Sequence, residues 1–130
     1  MYFSRLKLEN WRNFRSVDAP LTERMFVVGP NASGKSNLLD VFRFLRDIAK
    51  PGGGLQSAVA SRLGISKLRC VAARSEPTIV IDVEVTNGSA RPKWRYSIGL
   101  GQMPRGYRQP ILKHEKVWKD GDLILDRPNA

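Results

Sequence analysis

Eight consecutive residues, GPNASGKS from Gly29 to Ser36, place a lysine and a hydroxyl directly after two spaced glycines. A nucleotide polyphosphate carries several negative charges close together, so a site that binds it needs many donors at short range. Glycines let the backbone curl until successive N–H groups point at one centre. The spacing therefore predicts that Lys35 reaches the β- and γ-phosphates of a nucleotide and that the Ser36 hydroxyl binds Mg²⁺.

The segments on either side of this motif have the patterns that such a phosphate-binding loop (P-loop) needs. RMFVVG is a compact apolar run that predicts a buried strand from Met25 to Gly29, followed by the loop Pro30–Gly34. The apolar period then becomes helical, and the helix is predicted to begin at Lys35 or Ser36 and to stop at Pro51 and three glycines. Its N-terminus would add unpaired N–H groups and a positive dipole end. The predicted core face holds Leu38, Phe42, Leu45 and Ile48 or Ala49, with Asp40, Arg43, Asp47 and Lys50 turned away.

The remaining segments read mainly as short strands. Tyr2, Leu6 and Leu8 share one face of a first strand that runs to about Glu9, and RSVDAPL predicts a second strand that stops at Pro20. LQSAVASRLG predicts one short helix. Five later segments, separated by turn residues, predict an antiparallel meander: KLRCVAA, TIVIDVEV, KWRYSIGL, PILKHEKVW and DLILD.

These elements predict one α/β domain with the architecture of the N-terminal lobe of a P-loop NTPase, in which a strand–P-loop–helix core carries an antiparallel β layer. Residues 1–50 would form the first strands, the P-loop and the helix, residues 51–66 a glycine-rich linker and short helix, and residues 67–130 the antiparallel layer. A length of 130 residues with 42% hydrophobic content suits a single globular domain. With no signal peptide, no membrane-spanning run and one cysteine, Cys70, the chain is expected to be cytoplasmic, without a membrane partner.

A basic segment from Arg91 to Lys113 contributes much of the formal net charge of +10. It holds no acidic residue, and aromatic residues are interleaved with the basic ones. Such a composition suits phosphate contacts with base stacking, so this segment predicts DNA binding. The alternative is a solvated strand face whose acidic partners lie elsewhere in the chain. The basic residues are Arg91, Lys93, Arg95, Arg105, Arg108 and Lys113, and the aromatic ones Trp94, Tyr96 and Tyr107.

The segments LKLENWRNF and FVVGPNASGKSNLLDVFRFL together resemble the N-terminal opening of SMC-like and RecF-like ATPases in the ABC-type superfamily. Within that superfamily they are most similar to AAA-type ATPases allied to RecF and to OLD-family proteins. Those proteins open with a strand, an NFR element, a second strand and G-x-N-G-S-G-K-S-N-L-L-D-A. The resemblance implies ATP and Mg²⁺ as cofactors, and an ATP-dependent homodimer that acts in DNA metabolism or in defence against foreign DNA.

The same resemblance implies which residues form the site. Lys35 takes the catalytic position, and Asn10, Trp11 and Arg12 align with the NFR element, whose arginine lies beside the nucleotide in such ATPases. Trp11 stands where phenylalanine is usual. The residues implied in phosphate and Mg²⁺ contact are Gly29, Asn31, Ala32 (where glycine is common), Ser33, Gly34, Lys35, Ser36 and Asn37.

Hydrolysis also needs an acidic residue at a strand end and a group that positions the attacking water. Asp82 and Asp126 follow apolar runs, but the alternation around Asp82 is typical of a half-buried antiparallel strand. No LSGG-type signature or convincing glutamine loop is present, and in the resembling family these elements come later in the chain. The chain is therefore expected to be the N-terminal part of a longer ATPase, which alone binds ATP without hydrolysing it.

Two further hypotheses come from other functional classes. One is a small complete P-loop enzyme, such as a nucleotide kinase or GTPase, that uses Asp82 as its Mg²⁺-shell acid. It lacks the N-K-x-D motif that would read guanine. The other is an interaction module that keeps the fold and binds no nucleotide. His114, a lone histidine in a predicted strand, is expected to be structural or exposed.

Overall fold

The computed structural model describes residues 1–12, 14–22, 35–62, 78–88, 91–102 and 110–128 of the chain. These ranges contain two helices and six strands. In chain order the elements are β1 (Tyr2–Trp11), β2 (Phe14–Pro20), α1 (Lys35–Ala49), α2 (Leu55–Ala60), β3 (Ile79–Thr86), β4 (Trp94–Gln102), β5 (Pro110–Lys119) and β6 (Asp122–Arg127).

All six strands pair antiparallel in one sheet of order β2-β1-β3-β4-β5-β6. The meander predicted for the second half of the chain is confirmed for β3 to β6. The two N-terminal strands join the same sheet, because β1 pairs with the edge of β3 that does not face β4. In the sequence analysis, these two strands are instead assigned to the part of the domain that holds the P-loop and the helix. The predicted strand Met25–Gly29 and the segment KLRCVAA lie outside the described residues.

One face of the sheet forms the hydrophobic core. Leu6 and Leu8 of β1 stand opposite Val83 and Ile81 of β3, and the row continues to Ile98 of β4. All five side chains are buried. Burying a side chain of this size contributes about 1.5–3 kcal/mol, so this row supplies much of the stability of the sheet. Because strand side chains alternate, the residues between them point to the opposite face.

Helix α1 covers the core face of the sheet. It begins at Lys35, as its apolar period predicts, and Val41 and Phe44 are its fully buried residues. The four side chains expected to form its core face, Leu38, Phe42, Leu45 and Ile48, are only partly buried around them. The predicted core face is therefore confirmed for these four residues, and Val41 and Phe44 extend it. Periodicity gives the width of an apolar stripe, but the sheet decides which residues lie beneath the helix axis.

A bulge in β1 changes which aromatic residue faces α1. The register with β3 shifts between Phe3 and Arg5. The Phe3 ring therefore lies 4.9 Å from the Phe42 ring, between centroids. Tyr2 instead lines a pocket with Arg5 and Glu84 on the other face. The expectation that Tyr2 shares a face with Leu6 and Leu8 is wrong, because one extra residue reverses the alternation beyond it.

The glycine-rich segment after α1 makes a tight connection to α2. Gly52 and Gly54 have φ values of +74° and +116°, which favour glycine over residues with a side chain. The Gly54 amide donates to the Asp47 carbonyl, and the Gly54 carbonyl accepts from Ala58 in α2. This geometry explains why α1 ends at Ala49 and why α2 packs against it.

Candidate functional site

The N-terminal turn of α1 is the part of the predicted phosphate site that the structure describes. Ser36 is exposed there, and the first turn of the helix carries no acidic residue. Among the described residues, the positive dipole end of the helix therefore has no acidic side chain in its own first turn to compete with an anion. Other predicted contacts lie outside the described residues: Gly29, Asn31, Ala32, Ser33, Gly34 and the side chain of Lys35.

The segment Asn10–Arg12 runs from the end of β1 into the turn before β2, and it packs against this end of α1. Asn10 and Arg12 adopt positive φ values of 58° and 49°, a left-handed conformation that is uncommon for arginine. The Asn10 side-chain amide donates to the Thr78 carbonyl at 2.8 Å. Trp11 is fully buried between these residues. The hydrogen bond from Asn10 and the burial of Trp11 therefore hold this segment in a backbone conformation that costs free energy.

Trp11 ties this turn directly to α1. Its indole Nε1 donates to the backbone carbonyl of Asn37 at 2.9 Å, and its ring lies 5.2 Å from the Phe44 ring between centroids. A phenylalanine at position 11 would be smaller and has no N–H to donate. This hydrogen bond gives a physical reason for tryptophan in this chain.

Arg12 points along α1 to Asp40. Its Nη2 donates to Asp40 Oδ2 at 2.8 Å, and its guanidinium lies 5.6 Å from the centroid of the Trp11 ring. The Nε atom of Arg12 is buried and has no hydrogen-bond partner among the described residues. A buried N–H without an acceptor costs free energy, so the pairing of Arg12 is incomplete among the described residues.

Arg62, which follows α2, completes a charged cluster with Arg12, Asp40 and Asp47. It is not predicted in the sequence analysis. Its Nε and Nη2 donate to the two oxygens of Asp40 at 2.9 and 3.0 Å. Its Nη1 lies 2.9 Å from Asp47 Oδ2, and the guanidinium is 5.2 Å from the centroid of the Phe44 ring. Asp40 and Asp47 are two helical turns apart on one face of α1, which indicates a nearby cation, but no local pattern says that Arg62 supplies it.

These contacts set the pKa values of the cluster. Burial alone would raise the pKa of Asp40, but hydrogen bonds from Arg62 and Arg12 outweigh it and hold the pKa below its usual value. The hydrogen bond from Arg62 likewise lowers the pKa of Asp47. Desolvation opposes the charge of Arg62, yet its bonds to both carboxylates raise its pKa overall. Asp40, Asp47 and Arg62 are therefore charged at neutral pH.

The cluster opens into a shallow pocket of about 370 Å³ beside the start of α1. Its lining includes Arg12, Ser36, Asn37, Asp40, Arg43 and Arg62. The structure thus brings three of the predicted site residues, Arg12, Ser36 and Asn37, to one pocket. Within the described ranges, no three His, Cys, Asp or Glu side chains are grouped closely enough to hold a metal ion by themselves.

A family model described as "AAA domain, putative AbiEii toxin, Type IV TA system" matches residues 24–129. The chain belongs to this AAA domain family. Eight chains of solved structures are also similar to it. One comes from work on the ATP-driven dimerization and DNA-stimulated activation of SMC ATPases. It aligns with a TM-score of 0.56 at 20% identity, over 96% of this chain and 73% of that one, which shows a shared fold. No curated protein sequence matches significantly.

The family match identifies this chain as an AAA-type P-loop ATPase domain. The structural match shows that it has the fold of the SMC ATPases. The predicted resemblance is confirmed at the level of a P-loop ATPase of SMC or ABC type. The α/β fold class is confirmed at the level of a helix-covered antiparallel sheet in a domain of this fold. Within the described part of the AAA domain, neither helix has the length and apolar character needed to cross a bilayer.

Asp82 lies on the face of the sheet that points away from α1 in this AAA domain. Its neighbours Ile81 and Val83 face the core, so its own side chain is directed to the other side. Both carboxylate oxygens accept from Arg95, at 3.1 and 2.7 Å. The sheet therefore separates Asp82 from Ser36. This geometry argues against the hypothesis of a small complete enzyme with Asp82 as the Mg²⁺-shell acid.

The basic segment is partly neutralised within the AAA domain. Arg95 pairs with Asp82 and lies 4.4 Å from the centroid of the Trp118 ring, while Lys93 pairs with Asp120 at 3.1 Å. These two basic residues match the alternative of a strand face with acidic partners. Lys113 is exposed. Arg105, Tyr107 and Arg108 lie outside the described residues.

His114 has a structural position, as expected. Its Nε2 lies 2.9 Å from the Ser97 hydroxyl oxygen, and its ring covers the backbone of Gly99, where a Cβ atom would overlap it. Partial burial lowers the pKa of His114, and the nearby charge of Lys116 lowers it further. Asp126, the second acidic candidate, is on the edge strand β6 opposite Lys116.

Proposed function

We propose that this AAA domain is the ATP-binding lobe of an SMC- and RecF-like ATPase that acts in DNA metabolism or in defence against foreign DNA. One observation carries most of the weight. The turn Asn10–Arg12 is anchored by Trp11 to the first turn of the helix that begins directly after G-x-x-x-x-G-K. This arrangement directs Arg12 to the end of α1 where a phosphate would bind.

Each residue of the site has a role in this proposal. Lys35 and the loop amides from Gly29 to Gly34 bind the β- and γ-phosphates through charge-assisted hydrogen bonds. Ser36 offers an exposed hydroxyl to Mg²⁺, which binds proteins through few oxygen ligands and keeps phosphate oxygens and waters. Arg12 adds a peripheral contact through its guanidinium, since Arg12 lines the same pocket as Ser36. The start of α1, free of acidic side chains, fits the charge of an ATP–Mg²⁺ complex.

Hydrolysis requires groups that this proposal assigns to another part of a longer protein. Asp82 is engaged by Arg95 and faces away from α1, so the described residues offer no acid from that strand to the site. We infer that ATP brings two copies of the parent ATPase together and that each copy completes the other's site. The structural neighbour, whose study concerns ATP-driven dimerization of SMC ATPases, supports this inference by analogy of fold.

DNA is the proposed partner of the parent ATPase. The charge of the chain and the segment Arg91–Lys113 support this proposal. Since Lys93 and Arg95 have acidic partners, we assign the phosphate contacts chiefly to Arg105, Arg108 and Lys113. The same neighbour comes from work on DNA-stimulated activation of SMC ATPases, which supports DNA by analogy of fold.

Calorimetric titration with ATP and Mg²⁺ tests the proposal. Lys35→Ala is expected to lower the affinity for ATP at least about tenfold, because a charge-assisted contact of roughly 1.5–3 kcal/mol is lost. Lys119→Ala removes the same charge from an exposed position on β5 and serves as the matched control. Equal affinities for the wild type and Lys35→Ala would contradict the phosphate assignment. Failure of the wild type to bind nucleotide would favour the interaction module.

A further inference from the structure

Asp40 is shared by two arginines that come from different parts of the chain. Arg12 belongs to the turn after β1, and Arg62 to the turn after α2. The two arginines do not bind the carboxylate in the same way. Arg62 donates from both Nε and Nη2, one bond to each oxygen, whereas Arg12 donates from Nη2 alone. Arg62 therefore holds the bidentate arrangement, which fixes both the position and the rotation of the carboxylate.

Arg62 is itself firmly held. Its side chain is only 9% exposed, compared with 24% for Arg12. The Nη1 atom that does not reach Asp40 contacts Asp47 and donates to the Ala58 carbonyl at 3.0 Å. The Phe44 ring supports the guanidinium from the core side. All three nitrogens of Arg62 are thus engaged, so Arg62 is a fixed element and Asp40 is placed by it.

The consequence for Arg12 is an incomplete pairing. The Nε and Nη2 donors of an arginine match the two oxygens of a carboxylate. Because Oδ1 of Asp40 already accepts from Arg62, Arg12 forms one bond to Oδ2 and its Nε stays unpaired among the described residues. Arg12 is held in place without being fully neutralised.

We propose that Arg62 is a positioning residue for the phosphate site: by engaging both oxygens of Asp40, it holds Arg12 in the pocket beside the start of α1 and leaves the Arg12 guanidinium incompletely paired, so that it can bind a nucleotide phosphate. This inference rests on the proposed function, in which Gly29–Ser36 binds that phosphate. It also links α2 to the nucleotide site through two side chains.

Loss of Arg62 would change the charge balance of the cluster. Arg12, Arg62, Asp40 and Asp47 together have no net charge, whereas the three residues left without Arg62 carry one net negative charge. Asp40 could then rotate and pair with Arg12 through both oxygens. Both changes oppose the binding of a phosphate. The net negative charge of the cluster repels it, and the full pairing with Asp40 makes the Arg12 guanidinium less available to it.

A double-mutant cycle on the full chain tests this coupling, with ATP affinity measured by calorimetry. Arg62→Met is expected to weaken ATP binding about tenfold, the size of one lost charge-assisted hydrogen bond. In an Arg12→Met background, the same change is expected to have less than about a twofold further effect, because its target is already gone. A purely structural role for Arg62 would reduce affinity equally in both backgrounds, and that result would overturn the inference.

Two further variants make the test specific. Arg46→Met removes a positive charge that contacts Asp47 but not Asp40, and it is expected to leave ATP affinity unchanged. Arg62→Lys keeps the charge but cannot form the two-bond contact, so affinity is expected to stay well below wild type. If Arg62→Met does not fold, Arg62→Lys replaces it in the double-mutant cycle, and Arg12→Met remains the second variant. Full ATP affinity in folded Arg62 variants, with binding still lost in Lys35→Ala, would overturn this inference alone. Unchanged affinity in Lys35→Ala would overturn the proposed function.

Discussion

The indole Nε1 of Trp11 donates a hydrogen bond of 2.9 Å to the backbone carbonyl of Asn37. This bond joins the turn after β1 to the first turn of α1, 26 residues away in the chain. Since the Trp11 ring is fully buried against the Phe44 ring, water cannot easily replace the indole donor. The geometry of the candidate phosphate site therefore depends on a contact in the core.

Trp11→Phe is expected to lower the free energy of unfolding by about 1–3 kcal/mol, because the Asn37 carbonyl loses a donor and a smaller ring leaves space in the core. Urea denaturation monitored by circular dichroism measures the change. Trp94→Phe, at a half-buried position on β4, is the matched control and is expected to cost less. Equal losses of stability in the two variants would contradict a specific contribution of the Trp11–Asn37 hydrogen bond to the free energy of unfolding.

Acid is expected to destabilise the domain through Asp40 and Asp47. Both carboxyl groups have pKa values below their usual value because arginines bind the charged form. Their contribution is complete above the unfolded-state pKa of about 4 and is lost as the pH falls through the lowered pKa values. Urea denaturation between about pH 5 and pH 2.5 should show this loss.

Asp40→Asn is expected to reduce the pH dependence of stability in that acid range, because one of the shifted carboxyl groups no longer titrates. Asp122→Asn removes an exposed carboxyl group at the start of β6 and should leave the pH dependence almost unchanged. An Asp40→Asn variant with the full wild-type pH dependence would contradict the assigned role of the Arg12–Asp40–Arg62 contacts.

The 130-residue chain, purified alone, is expected to bind ATP but to show no ATP turnover above background. Binding stabilises the phosphates, whereas turnover also needs an oriented water and neutralisation of the transferring group. The loss of one such group commonly costs about 10² to 10⁵ in rate. A phosphate-release assay, with Lys35→Ala as the blank, checks this expectation. Steady turnover that disappears in both Lys35→Ala and Asp82→Asn would restore the small complete enzyme.

DNA affinity is expected to fall steeply with salt if the basic segment contacts phosphates. Replacing Arg105, Arg108 and Lys113 by glutamine should reduce the slope of log affinity against log salt concentration by about 3, close to one unit per lost contact. Fluorescence anisotropy with a labelled duplex and a labelled single strand measures it. Replacing Arg15, Arg46 and Lys50 instead removes three charges elsewhere and should change the slope much less. Equal slopes for wild type and the first variant would exclude this surface.

The sequence by itself determined the features that depend on local pattern. A change of apolar period placed the start of α1 at Lys35 or Ser36, and the proline and glycines after it placed its end. Alternation and turn residues placed β3 to β6 as antiparallel strands. The motif at Gly29–Ser36 indicated the chemistry, because its donors come from neighbouring residues. The structure of that loop itself lies outside the described residues.

The tertiary structure alone decided which distant residues meet. Arg62 reaches Asp40 across 22 residues, and the Asn10 side chain reaches the Thr78 carbonyl across 68. It also decided that β1 lies between β2 and β3, and that a bulge turns Phe3 toward α1. Strand order, bulges and ion pairs depend on the shape and charge of surfaces brought together by folding. No local pattern in the chain encodes those contacts, so the position of Arg12 beside the start of α1 could be read only from the packed domain.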